Sequence, residues 1–312
     1  MVSFSRFWWL NPTNTRKPSF NLMNFAQQTL TLFYVFNNLS QEDLLIERNG
    51  MRKFGFKIFS TNLQTAPTLI KECAEFASNT QDMFIELMVV ANTTKEDLNN
   101  LKQQLGNIEV RIHAPHNTMG FDAGNKDLEQ QNRKILAVSQ NAADIFDAKT
   151  IVVHAGCGHG QQYIDETARQ FKLFNDKRIV VENLPFYANN DEPLHGNTAD
   201  EIAYIMNESG CGFCFDFSHA ICAAVALNLD TKKHLQSFYA LKPTVYHMCD
   251  GDINKAEDSH MHFSTGNYPL EQYLNDYTDK NAYITMETGK GIMQHNDLWV
   301  KDYQYLKSIQ NR

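Results

Sequence analysis

The sequence predicts an α/β protein, a (β/α)8 TIM barrel with an N-terminal extension. Short β-prone runs alternate with helical segments from residue 51 onward, and this alternation favours a parallel sheet. Eight such strands can be counted, and each is followed by a helical stretch. A chain of 312 residues is long enough for one barrel of about 250 residues plus an extension. Eight strand–helix units therefore favour a closed barrel over an open doubly wound sheet.

The predicted strands are short and rich in β-branched and aromatic residues. They cover residues 53–59, 82–90, 110–114, 150–154, 179–182, 212–215, 244–247 and 282–286. Apolar residues at helical spacing predict the helices. The helices cover residues 67–79, 94–105, 127–146, 164–174, 198–209, 220–241 with a break near Leu229, 269–277 and 297–309. Thr94 with Asp97, and Thr198 with Glu201, have the spacing of capping boxes at helix starts.

Residues 1–50 differ in character from the rest, so we place the domain boundary between this extension and a barrel domain of residues 51–312. The apolar run 29–36 is too short to span a bilayer. The order of features that marks a signal peptide is not seen. We expect either an accessory segment packed on the barrel or an upstream start codon, with Met51 as the true start.

Composition and charge set limits on function. Hydrophobic residues make up 43% and charged residues 21% of the chain, the balance of an ordinary soluble globular protein. The net charge of −8 gives no bulk basic surface for nucleic acid, although bound divalent cations would change the local charge. The six cysteines show no framework-like spacing, which predicts reduced thiols and a cytoplasmic location. We interpret Cys211 and Cys214, a C-x-x-C pair, as packing thiols.

Metal-ligand residue types stand at or just beyond the ends of most of the predicted strands from the third onward. Parallel barrel strands bring their C-terminal ends to one mouth, so these side chains are expected to converge. Imidazole and carboxylate groups suit zinc, manganese or ferrous iron, and their number exceeds what one ion can use. The sequence therefore predicts a polynuclear metal site. The candidate ligands are His116, His154, Glu182, Asp216, His219, His247, Asp258, His260 and Glu287.

Two of these ligands, Glu182 and Glu287, are also the candidate catalytic groups, and Glu182 could bridge two ions. Four further residues lie near the ligands in sequence. They could contact ligands or substrate, or serve only as structural hydrogen-bonding groups. These residues are His113, Asn183, Asp250 and His262.

At these residues the chain resembles the endonuclease IV-like AP endonuclease family (family 2), within the xylose isomerase-like TIM barrel group. The resemblance covers roughly residues 51–312. Its strongest segments are Gly212-Phe-Cys-Phe-Asp-Phe-Ser-His219 and the spacing from Asp258-Ser-His260 to Gly266-Asn267. The other matching segments are Ala114-Pro-His116, Val153-His154, Val181-Glu-Asn183, Tyr246-His-Met-Cys-Asp250 and Met286-Glu-Thr288.

The resemblance implies three metal ions, usually zinc, and a hydrolase that cleaves the phosphodiester on the 5′ side of abasic sites in DNA base excision repair. It implies a first ion held by His116, His154 and Glu182. It implies a second ion held by Glu182, Asp216, His247 and Glu287, and a third held by His219, Asp258 and His260. The chain departs from the family at Met119, where a tyrosine is usual, and in residues 261–266, where the family ends Gly-Glu-Gly.

An alternative is a sugar isomerase or epimerase on the same barrel, acting on a small sugar. One divalent ion on Glu182, Asp216, His247 and Glu287 would suffice, with the two glutamates as proton-transfer bases. That function leaves four candidate ligands without a role, namely His116, His154, Asp258 and His260. A third alternative is a barrel that keeps its metal but serves another substrate or a partner protein. Counting bound metal separates the first two.

Overall fold

The computed structural model describes residues 51–188, 190–289 and 296–310. Its strands are β1 Lys53–Phe59, β2 Met83–Met88, β3 Val110–His113, β4 Ile151–His154, β5 Gly156–Cys157, β6 Ile179–Glu182, β7 Leu194–His195, β8 Gly212–Asp216, β9 Val245–Met248 and β10 Tyr283–Met286. Eight of them close into a barrel in the order β1-β10-β9-β8-β6-β4-β3-β2, and all eight pairings are parallel. The predicted TIM barrel is confirmed. The remaining two strands, β5 and β7, pair antiparallel.

The helices follow the predicted alternation. They are α1 Asn62–Thr65, α2 Pro67–Ser78, α3 Lys95–Leu105, α4 Glu129–Phe146, α5 Gln161–Phe174, α6 Ala199–Ser209, α7 Phe217–Ala226, α8 Thr231–Tyr239, α9 Leu270–Tyr277 and α10 Asn296–Ile309. The predicted capping box at Thr94 and Asp97 is present at the start of α3. The predicted break near Leu229 separates α7 from α8, because Asn228 adopts a positive φ of 53° and Asp230 caps the second helix.

Apolar side chains cover both faces of the barrel sheet. One face of the strands packs against the helices in the main core, with Ile151 and Val153 as examples from β4. The other face points into the barrel, where a separate buried cluster contains Val152, Val180 and Cys214 together with Val245. Side chains alternate along a strand, so the residues two positions further on share the inward face. Those residues are His154, Glu182, Asp216 and His247, at the C-terminal mouth of the barrel.

Strand register then sets the neighbours at that mouth. His154 of β4 stands opposite Glu182 of β6, and Asp216 of β8 stands opposite His247 of β9. Glu287 follows β10 directly, and its N–H donates to the carbonyl of Met248 at 3.0 Å. The fold thus brings together side chains that are more than a hundred positions apart.

Residues 1–50 lie outside the described part of the chain, so the expectations for the extension and for Met51 stay predictions. Among the residues that the structure describes, no helix is both long and apolar enough to cross a membrane. All six cysteines are free, and Cys214 is fully buried inside the barrel, in keeping with packing thiols.

Candidate metal centre

Glu182 lies at the middle of the candidate centre. It is the last residue of β6 and is fully buried. Its Oε2 lies 3.2 Å from Nε2 of His113 and 3.3 Å from Nε2 of His154. Its Oε1 lies 3.0 Å from Nδ1 of His247 and 3.4 Å from Nδ1 of His219. Each oxygen of this carboxylate therefore faces two imidazoles, an arrangement that suits a carboxylate bridging two cations.

The corner between β8 and α7 positions Asp216 and His219. Asp216 is the N-cap of α7, and its Oδ1 accepts a hydrogen bond of 2.7 Å from the N–H of His219. Asn183 clamps the same corner, because its side-chain oxygen accepts from the N–H of Asp216 and its amide donates to the Asp216 carbonyl. The Asp-x-x-His spacing thus corresponds to a helix N-cap, and the side chains of Asp216 and His219 both face the mouth. Asn183 orients the backbone rather than an imidazole.

A third set of ligand types comes from the loop after β9. Oδ2 of Asp258 lies 2.5 Å from Nε2 of His260 and 3.4 Å from Nε2 of His219. The other oxygen of Asp258 accepts a hydrogen bond of 2.6 Å from Ser218. The loop itself is held by Asp250, whose carboxylate accepts bonds from the backbone N–H groups of residues 251, 266 and 268. Asp250 therefore shapes the loop that carries this set.

Three of the histidines have one ring nitrogen fixed and the other facing the cluster. Nδ1 of His113 donates to the carbonyl of Ala114 at 2.7 Å, and Nδ1 of His219 donates to the carbonyl of Asn183 at 2.9 Å. Nδ1 of His260 donates to the carbonyl of Glu287 at 2.7 Å. A carbonyl can only accept, so the Nε2 atoms of all three rings are left as potential ligands. This is how metal-binding histidines are usually oriented.

Four groups have ligand atoms that all lie within 4.8 Å of one another. These groups are Glu86, His113, His247 and Glu287; His113, His154 and Glu182; Glu182, Asp216 and His219; and His219, Asp258 and His260. Nitrogen and carboxylate donors in this mixture fit zinc, manganese or ferrous iron. The structure thus brings eight of the nine sequence-predicted ligands into such groups, and the last group has the composition implied for the third ion.

His116 is the predicted ligand that belongs to none of these groups. Its ring stacks on that of His154 with centroids 5.1 Å apart, and its Nδ1 lies 3.1 Å from Oγ1 of Thr118. His113, predicted only as a nearby contact, stands instead against Glu182 and is fully buried. His262 lies farther away, with Nδ1 2.6 Å from Oδ2 of Asp302.

Two charged residues of the centre, Glu86 and Lys57, were not predicted from the sequence. Glu86 lies on β2, fully buried, and its Oε2 accepts from Nε2 of His247 at 3.0 Å. Lys57 lies on β1 and its ammonium bonds to Glu287. Both lie inside predicted strands rather than at strand ends. The available signal was the burial of a lysine and a glutamate in the middle of apolar strands, which calls for a charged partner.

Burial and neighbouring charges together set the protonation states of the histidines in the centre. Burial lowers the pKa of His116 to about 3, reinforced by the neighbouring His154 and His113, so this ring is neutral at pH 7. Burial also lowers the pKa of His154, although Glu182 opposes the effect. At His260 burial acts in the same direction, but the carboxylate of Asp258 outweighs it and raises the pKa to about 9.

A cavity of about 470 Å³ opens at this mouth. Its lining includes six of the nine candidate ligands together with apolar and aromatic groups such as Phe59, Tyr187 and Trp299. Lys57 is the only lysine or arginine among the lining residues that the structure describes. Tyr187 stands at the rim with about half of its surface exposed.

Residues 72–309 match the family model described as xylose isomerase-like TIM barrel. The chain belongs to this family, which confirms the resemblance found in the sequence. Two curated relatives, each named probable endonuclease 4, come from Mycobacterium ulcerans and Mycobacterium marinum. Each is 25% identical over 139 residues, which cover 43% of this chain and 53% of the relative. The aligned segment thus spans about half the length of these relatives.

Solved structures of two kinds share the fold. Endonuclease IV from Thermus thermophilus has a TM-score of 0.60 at 18% identity, over 82% of this chain and 98% of that chain. A D-tagatose 3-epimerase-like protein has a TM-score of 0.58 at 16% identity, over 81% of this chain and 96% of that chain. At these identities the likeness is one of fold. The fold is therefore shared by proteins named as nucleases and as sugar enzymes.

Proposed function

We propose that this protein is a metal-dependent phosphodiesterase that hydrolyses DNA on the 5′ side of abasic sites, as part of DNA repair. The observation that carries the proposal is the third set of ligand types, His219, Asp258 and His260, beside Glu182. A single-ion sugar enzyme has no use for this set, whereas a three-ion hydrolase needs it. The names of the two mycobacterial relatives and of the Thermus structure support the same activity.

In this proposal the ligands are those predicted from the sequence, with His113 added beside His154 and Glu182. When bound, the cations, zinc by preference, supply Lewis-acid chemistry: they polarise phosphoryl oxygens and acidify water. The chain's own contribution is to hold the ligands in place. Backbone carbonyls fix three imidazoles, and the cap of α7 fixes Asp216. The neutral ring of His116 at the mouth is in the form that binds a cation.

Glu182 and Glu287 are the proposed catalytic carboxylates. Both approach Nδ1 of His247, Glu182 at 3.0 Å and Glu287 at 2.8 Å. Packing two carboxylates against one imidazole in a buried site is costly unless cations compensate them. Their proposed role is therefore to hold positive charge close to the scissile phosphate.

The free cysteines further support a reducing, cytoplasmic compartment.

A nicking assay tests the proposal. The substrate is a DNA duplex with a single abasic analogue, and the intact duplex of the same sequence is the control. We expect a single cut on the 5′ side of the analogue, lost with chelator and restored by zinc or manganese. If fully metal-loaded protein leaves the abasic duplex intact, the nuclease function is rejected.

The composition of the cavity supports a second candidate, a sugar isomerase or epimerase. Its described lining contains only one lysine and no arginine, together with apolar and aromatic side chains, which suit a small neutral substrate better than a polyanion. Glu182, Asp216, His247 and Glu287 would then hold one ion. Metal analysis that finds about one ion per chain, with turnover of a ketose and no nicking, would establish this candidate instead.

A further inference from the structure

Lys57 is a charged residue of the centre that the proposed hydrolysis does not use. It stands on β1 opposite Glu86 of β2, and its side chain is 14% exposed. The ammonium bonds to Oε1 of Glu287 and lies 3.7 Å from Oε1 of Glu86. It is therefore a resident cation placed between two buried carboxylates.

Glu86 has one oxygen that is hydrogen-bonded and one that is not. Its Oε2 accepts hydrogen bonds from Nε2 of His247 at 3.0 Å and from Oγ1 of Thr285 at 2.8 Å. Its Oε1 is fully buried and has no hydrogen-bond partner. A buried carboxylate oxygen in this state is unusual and costly, so it marks a place where a donor or cation is expected. The ammonium of Lys57 is within reach of it after a small movement.

Glu287 has two competing partners, Lys57 and the proposed second ion. It is a proposed ligand of the second ion, and its Oε1 already lies 2.8 Å from Nδ1 of His247, another proposed ligand. The same oxygen bonds the ammonium of Lys57. A divalent cation on this oxygen would stand close to that ammonium, and like charges at such a distance repel strongly. Lys57 and the second ion therefore compete for Glu287.

We propose that Lys57 exchanges partners: it neutralises Glu287 in the metal-free protein and moves to Oε1 of Glu86 when a divalent cation takes Glu287. The inference rests on the proposed metal centre. A lysine suits this role because its ammonium is a compact charge on a flexible four-carbon stem. After the move, Glu86 bonds both Lys57 and His247, so one carboxylate holds the lysine and the ring of this proposed ligand. Lys57 thus lowers metal affinity while it is bonded to Glu287, and after the exchange it acts as a positioning residue through Glu86.

Zinc binding to the full-length protein, measured by competition with a chelator, tests this exchange. Lys57→Met removes the competitor, and we expect it to tighten the binding of one ion by about tenfold or more. Glu86→Gln removes the second partner, and we expect it to weaken the same ion by about 10- to 100-fold. In the double variant the loss caused by Glu86→Gln should be smaller, because no ammonium has to be accommodated. Lys53→Met, at the other end of the same strand, is the control and should bind zinc as the wild type does.

Each result has a distinct meaning. If the wild type binds zinc but Lys57→Met, folded by circular dichroism, binds it equally or more weakly, the exchange is rejected while the metal centre stands. If the wild type binds no divalent ion, the proposed function fails and the inference fails with it. A zinc-loaded crystal structure of the wild type gives the same decision without a variant. We expect Lys57 Nζ within hydrogen-bond distance of Glu86 Oε1; a lysine still bonded to Glu287 beside a bound ion overturns the proposal.

Discussion

The two ends of this barrel use charged residues in opposite ways. At the N-terminal end the guanidinium of Arg111 stacks over the ring of Tyr283, 3.4 Å from its centroid, and donates to Thr150 at 3.0 Å. Glu109 lies 3.3 Å from Arg111 and 2.7 Å from Lys53. Each of these three charges has an opposite charge in contact. These contacts compensate the charges of the three side chains without an added ion.

Within the candidate centre at the C-terminal mouth, five of the described carboxylates lie beside one described lysine. The five are Glu86, Glu182, Asp216, Asp258 and Glu287, and Lys57 is the one lysine beside them. All five are nearly or fully buried. Buried carboxylates in such excess are unfavourable unless cations accompany them, which protonated histidines or metal ions can supply. The same strands therefore carry one end where Lys53, Glu109 and Arg111 compensate one another and one end that requires added positive charge, the division expected in barrels of this kind.

The largest effect expected from this contrast follows from changing one carboxylate at each end. Glu182→Gln should lower the rate of nicking at an abasic analogue by about a thousand-fold or more, because the group between the proposed ions loses its charge. Glu109→Gln should change the rate by less than about threefold, since its partners lie far from the mouth. The measurement is single-turnover nicking with both variants loaded with metal.

A near-normal rate for Glu182→Gln would remove it from the centre. A large loss in both variants would show that the two ends are coupled through the fold, and the comparison would then fail.

Asp258 provides the next test, because it belongs only to the proposed third ion. Asp258→Asn should lower metal content by about one ion per chain and turnover by about 100-fold, because it removes the carboxylate shared by two histidines. Asp252→Asn changes a partly exposed residue of the same loop and is the matched control. Metal content by mass spectrometry decides the point. Equal metal content in the two variants would favour a site with fewer ions.

Much of the barrel and most of the centre could be predicted because both depend on strand alternation. Strands such as Ile179–Glu182 combine a β-branched run with a ligand at its end, so one pattern gives the fold and the site. The antiparallel pair β5 and β7 was missed, since two residues in each strand leave no periodicity to detect. The helix ends were predictable where a capping residue such as Thr94 or Thr198 stands before the helix.

The sequence was less informative where position depends on the loop after a strand. His113 ends β3 and points at Glu182, whereas His116 lies three residues further on in a turn and stacks on His154. The backbone conformation after Ala114 decides which of the two histidines faces the centre. The residue types in this segment do not predict that conformation. Glu86 and Lys57 were missed because a single strand cannot show which buried charges meet across the barrel.

The N-terminal end provides a prediction about stability alone. Arg111→Met should lower the free energy of unfolding by about 2 kcal/mol, because hydrogen bonds from a buried cation and its stacking on Tyr283 are lost. Zinc affinity should stay within about twofold of the wild type. Urea denaturation and zinc titration on the same preparation give both quantities. A change in zinc affinity of about tenfold would contradict the separation of the two ends.

The smallest effect is expected from a residue that lies at the mouth end but outside the centre. Thr94 caps α3 in the loop after β2, and its hydroxyl accepts from the N–H of Asp97 at 3.1 Å. Thr94→Ala should cost about 1 kcal/mol of unfolding free energy, since one backbone N–H at the start of the helix loses its acceptor. Metal content and nicking rate should not change, and Thr94→Ser should restore the stability. If Thr94→Ala lowered metal content, metal binding would depend on a residue outside the centre. The mouth could then no longer be divided into a metal centre and an ordinary scaffold around it.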